Sequence, residues 1–122
     1  MTKERPSIPN LINSETNEIE SFQNKTLRPI IKMQHKLLIV SFQNYLQKRK
    51  IDFSVLSKDQ KHQRIQNAFL KDINYKNVSL GFIIGHFELE EYQFYIKNSS
   101  EVNKRIVKII QKRIQDSISE LI

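Results

Sequence analysis

The chain has 122 residues, a mass of 14.6 kDa and a net charge of +7. That length suits one compact domain. The absence of cysteine excludes disulfides, thiolate nucleophiles and cysteine-ligated metal clusters, and two glycines are too few for a Gly-rich phosphate loop.

Residues 1–24 read as a flexible tail ahead of a helical domain over 25–122. Pro6 and Pro9 break regular structure there, and Asn, Ser and Thr dominate the rest. The charged start has no apolar run of the kind that directs secretion. The longest uninterrupted apolar run is residues 37–40, far short of the roughly 20 residues that cross a bilayer. A soluble, cytoplasmic protein without membrane insertion is the expectation.

The spacing predicts a first helix over 26–50, with Thr26 or Arg28 as its cap and Pro29 in its first turn. Leu27, Ile31, Leu38, Phe42 and Tyr45 share one face, with Ile30 and Leu37 beside it. Met33, Ile39 and Val40 fall outside that stripe. Ser57 and Gln60 have the spacing of a capping box, which starts a second helix running to about Tyr75 with Ile65, Ala68, Phe69 and Ile73 inward. Residues 78–87 are apolar enough for a strand or a helix. Helix is preferred, because a lone strand cannot form a sheet, and Gly81 and Gly85 would allow another helix to approach closely. A short helix follows over 88–98, where Leu89, Tyr92, Tyr95 and Ile96 repeat and acids crowd the first turn. The last helix runs from Glu101, with Val102, Ile106, Ile110 and Ile114 on one line and Ile109, Ile118 and Leu121 extending it. The fold class is therefore all-α: one compact bundle of four to five helices.

The segments Phe22 to Ile30, Gly81 to Gly85, Glu91-Tyr92 with Tyr95-Ile96, Asn98-Ser99-Ser100 and Asn103-Lys104-Arg105 together resemble a set of short helical proteins from Bacteroidetes-type bacteria. The resemblance covers about residues 22–115. Some members of that set carry the label glyoxalase. Metal-dependent glyoxalase chemistry of the common type needs His, Glu and Gln ligands on the strands of paired βαβββ modules. The periodicity here predicts no such strands, and the three histidines are scattered.

Charge is unevenly distributed. Residues 25–76 hold 12 basic and 3 acidic side chains, while residues 1–24 and 77–100 are each mildly acidic. In the last helix Lys104, Arg105, Lys108 and Lys112 fall on one flank, a stripe suited to phosphates or an acidic partner. No aromatic residue interleaves with them, so base stacking is not expected. Phe42, Tyr45, Lys48, Arg49 and Lys50 form an apolar–basic end of the first helix that suits a protein partner. Gln34 and Asp72 fall on apolar faces and must find polar partners; for Asp72 these would be Lys76, Lys61 or Arg28. His86, Glu88 and Glu91 are the one loose metal-like cluster, and neither His35 nor His62 has a local acid partner of triad type. The chain reads as a non-catalytic interaction or adaptor protein without a cofactor, binding a protein partner or forming a homodimer. Nucleic-acid association through the basic faces is the alternative, and an enzyme of unrecognised class centred on Gln34 and Asp72 is the third.

Overall fold

The computed structural model describes residues 17–122. All regular elements among them are helical. Helix α1 covers residues 17–22 and passes through a π-helical turn, Gln23–Leu27, into α2, Arg28–Met33. Pro29 accounts for that turn. It has no N–H to donate to the carbonyl of residue 25, and its ring crowds that carbonyl. The chain widens by one residue, so the Arg28 N–H donates to the Gln23 carbonyl. Pro29 thus sits inside a continuing helix, and neither Thr26 nor Arg28 caps one. Residues 17–24 belong to the folded domain, which starts no later than residue 17 instead of at 25. The tail expected over residues 1–16 lies outside the described residues.

The helix predicted over 26–50 is broken at Gln34, whose φ of −92° and ψ of 13° leave the helical range. Helix α3, His35–Lys48, follows directly. It ends with Lys50 at φ 57°, the left-handed conformation that glycine usually supplies at this place. The Ile51 N–H donates to the Leu46 carbonyl at 3.0 Å and the Lys50 N–H to that of Gln47 at 3.0 Å. Those two bonds satisfy carbonyls the helix end leaves open.

Helix α4, Lys58–Lys71, begins with the expected capping box of Ser57 and Gln60. It stops earlier than predicted. Asp72 is extended at φ −109° and ψ 97°, and its carboxylate accepts the Tyr75 N–H at 3.0 Å. The side chain that was placed on a helix face instead caps a new helix, α5, Ile73–Ile84. Residues 78–84 are helical, as expected, and Phe87 lies past the end. The break also turns Ile73 outward. Helix α6, Leu89–Lys97, and helix α7, Ser99–Gln115, complete the bundle, and a 3-10 turn, Ile118–Glu120, closes the chain.

Helix α7 is the hub. Val102, Ile106, Ile110 and Ile114 are all 0% exposed, and the helix packs on α2, α3, α4, α5 and α6. Steps of four residues keep these side chains on one stripe, and each contributes about 2–3 kcal/mol when buried. Leu27, Ile31, Leu38, Phe42, Ile65, Phe69 and Ile83 meet it from the surrounding helices. Leu121 closes the open end of the core.

Two expected faces turn out differently. Leu89, Tyr92 and Ile96 of α6 are exposed, and α6 turns Glu91, Phe94, Tyr95 and Asn98 toward the body instead. Phe94 stacks on Phe22 at 4.7 Å, the Tyr95 hydroxyl donates to Asn103 at 2.8 Å, and Asn98 donates to the Phe94 carbonyl at 3.0 Å. The contacts to Phe22 and Asn103, which lie outside α6, outweigh the apolar stripe in setting the rotation of a helix with only nine residues, while the Asn98 bond closes the helix end. The glycine pair is also not used for close approach among the described residues. A Cβ at Gly81 would meet nothing within 4 Å beyond its own helix backbone, so no other described helix occupies that side.

Candidate functional site

A groove of about 840 Å³ runs along α7. It is lined by Gln23, Arg28, Glu101, Lys104, Arg105, Lys108, Ile109, Lys112, Arg113, Asp116 and Ser117. Six of those side chains are cationic and two are acidic. The core stripe of α7 faces inward, so its 3.6-residue repeat turns the basic flank toward solvent. On that flank Lys104, Lys108 and Lys112 are four residues apart, a rise of about 6 Å per step. All four basic residues expected on this flank line the groove.

Several cations are held in place. Arg105 donates from Nε to Glu101 at 3.1 Å and from Nη1 to Gln23 at 3.0 Å. Arg28 donates to Asn24 at 3.1 Å, and Lys112 to Asp116 at 3.3 Å. Arg113 donates to Nδ1 of His35 at 3.2 Å, and His35 Nε2 in turn meets Glu120 at 2.9 Å. These partners set the His35 tautomer, with the proton on Nε2. The sequence offered His35 no acid, because Glu120 is 85 residues away. Lys104 and Lys108 form no ion pair among the described residues. Exposed ion pairs are worth about 0–1 kcal/mol, so an arriving anion can replace them. Arg28 and Arg113 are the groove residues that sequence reasoning missed. Arg113 lies eight residues after Arg105 and so near the same flank, a signal the sequence contains. Arg28 reaches the groove only through the packing of α2 on α7.

The aromatic end of α3 is part of the core. Phe42 is 0% exposed and packs against Tyr45 at 5.7 Å, Phe53 at 5.9 Å and Tyr75 at 6.1 Å. It therefore cannot anchor a partner, contrary to its expected role. Tyr45 is half-buried beneath the Arg49 guanidinium, whose carbon stands 4.6 Å from the ring centroid. Arg49 also forms an ion pair with Asp72, so the basic partner of Asp72 is Arg49 and not Lys76, Lys61 or Arg28. Lys48 and Lys50 are exposed. Burial holds the Tyr75 hydroxyl well above the usual tyrosine range, and the nearby Tyr45 acts in the same direction.

Gln34 and Asp72 are only partly buried, and among the described residues the fully buried polar one is Ser79, which the sequence did not single out. The Gln34 amide donates to the Phe82 carbonyl at 3.4 Å and to His86 Nε2 at 2.7 Å. It bridges the helix break to the end of α5. That use of His86 takes it out of the metal-like cluster. Glu91 is also committed: one oxygen accepts the Glu88 N–H at 2.8 Å and the other accepts the Thr26 hydroxyl at 3.2 Å. No group of three His, Asp or Glu residues placed to hold a metal ion occurs among the described residues. No helix among them is long and apolar enough to cross a membrane.

Compared with protein-family models, curated proteins and solved structures, the chain matches none.

Proposed function

We propose that this chain is a non-catalytic helical binding module that holds the phosphate backbone of a nucleic acid in the α7 groove. The observation that carries the reading is the convergence of six cations on one groove against two acids, with Lys104 and Lys108 in no ion pair among the described residues. A row of cations about 6 Å apart suits a row of regularly spaced anions better than a single small ligand. No aromatic ring lines the groove, so backbone contact without base stacking is the mode, and sequence preference is weak. The competing interaction surface at the end of α3 loses its centre because Phe42 is buried.

The test is fluorescence anisotropy with labelled duplex and single-stranded oligonucleotides as salt is raised. If about four cations neutralise phosphates, raising salt from about 50 to about 200 mM weakens binding roughly a hundredfold. Lys104→Ala and Lys108→Ala each lower the salt slope by about one. An absence of binding at low salt sinks the proposal, and so does binding that both substitutions leave unchanged.

A further inference from the structure

Two apolar stripes stand exposed among the described residues. Met33, Leu37 and Val40 are 61%, 41% and 59% exposed at the end of α2 and along α3. Leu89, Tyr92 and Ile96 are 73%, 44% and 58% exposed on α6, which has no fully buried residue of its own. Scattered exposed apolar residues need no explanation, but three at spacings of three and four residues on each of two faces, one across the α2–α3 junction and one on α6, form seams. Their steps are four then three across the α2–α3 junction and three then four on α6, the alternating steps also seen in a coiled-coil core. Both stripes span eight residues, about 10 Å from first to last at helical rise.

We propose that a second copy of this chain covers them, with α6 of each protomer lying on the α3 stripe of the other. Charge complementarity favours this occupant. Exposed Lys32 and Lys36 border the start of the α3 stripe, and exposed Glu88 and Glu90 border the start of the α6 stripe. A parallel alignment sets those acids beside those lysines. An antiparallel alignment would instead bring Lys97 against them, so the parallel one is preferred. The chain carries +7 overall, and two copies would repel if their basic faces met. The acidic start of α6 is the surface that a basic stripe on another copy attracts. A two-fold axis makes each contact twice and closes the assembly at two chains. The residues involved are not those of the α7 groove, so the inference stands apart from the nucleic-acid reading.

The experiment is light scattering and sedimentation of the full chain from about 1 µM to about 1 mM, the range in which modest interfaces populate. A dimer is expected, and assembly without limit overturns the two-fold arrangement. Leu37→Glu and Val40→Gln each weaken it tenfold or more. Circular dichroism checks that these variants still fold, and their exposed positions predict that they do. Lys36→Glu and Glu90→Lys each weaken the dimer, while the two reversals together recover most of the loss. A strict monomer overturns the proposal. A dimer indifferent to Leu37→Glu and Val40→Gln, or reversals that do not compensate, overturns it too.

Discussion

Gly81→Ala should stabilise the protein. Gly81 sits inside α5, and no glycine in the described chain has a positive φ, so alanine adopts its backbone without strain. The space beside it is open, since an added Cβ meets no atom within 4 Å. No packing term opposes the change. What remains is the backbone entropy that glycine loses on folding, and alanine in a helix interior recovers about 0.4–1 kcal/mol of it. For a domain of this size that raises Tm by roughly 2–8 °C. Gly85→Ala is the control. Its Cβ would stand 3.1 Å from the Gly81 carbonyl, a tight contact with backbone, so it gains less. The assay is thermal unfolding followed by circular dichroism, with urea midpoints to confirm the order. Destabilisation by Gly81→Ala would refute the reasoning, because it would mean that something packs against that side of α5. An equal gain at both glycines would refute the steric part.

Ile106→Ala removes a fully buried side chain from the hub helix and should cost about 2–5 kcal/mol, against a much smaller loss for half-buried Ile109→Ala; urea denaturation reads both. Asp72→Ala removes the α5 cap and the Arg49 pair and should cost about 1–2 kcal/mol. Asp72→Asn keeps a capping oxygen and should recover most of that, which the same measurement shows. Tyr75 stays protonated in the folded chain where an unfolded tyrosine ionises, so its contribution is complete below about pH 10 and falls as pH rises further. Unfolding free energies measured between about pH 9 and 11 should therefore decline for the parent and decline less steeply for Tyr75→Phe; parallel curves would exclude Tyr75 as the cause.

The helical class, the Ser57–Gln60 start of α4 and the α7 stripe were legible because each depends on residues within a few positions of one another. A capping box spans only four residues, and a stripe of apolar residues four apart needs only the helix period. The basic flank of α7 was legible for the same reason, since a buried stripe on one side places the other side in solvent. The helix breaks were harder to see. Pro29 marks its π turn in the sequence, but only when the residues before it are known to be helical. Asp72 reads equally as a face residue or a cap, and the choice depends on whether Tyr75 packs with Phe42 and Phe69.

Which apolar residues face inward was decided by assembly. Phe42 joins the core because Phe53 and Tyr75 close over it from outside its own helix. Leu89, Tyr92 and Ile96 point outward because Phe94 finds Phe22 and Tyr95 finds Asn103. Composition and periodicity determined that the chain is helical, that it carries an excess of positive charge, and that α7 has one greasy and one basic side. Only the tertiary structure joined Arg28 to that basic side as a groove and left two apolar stripes bare, because the orientation of a short helix depends on contacts with distant residues that its own period does not encode.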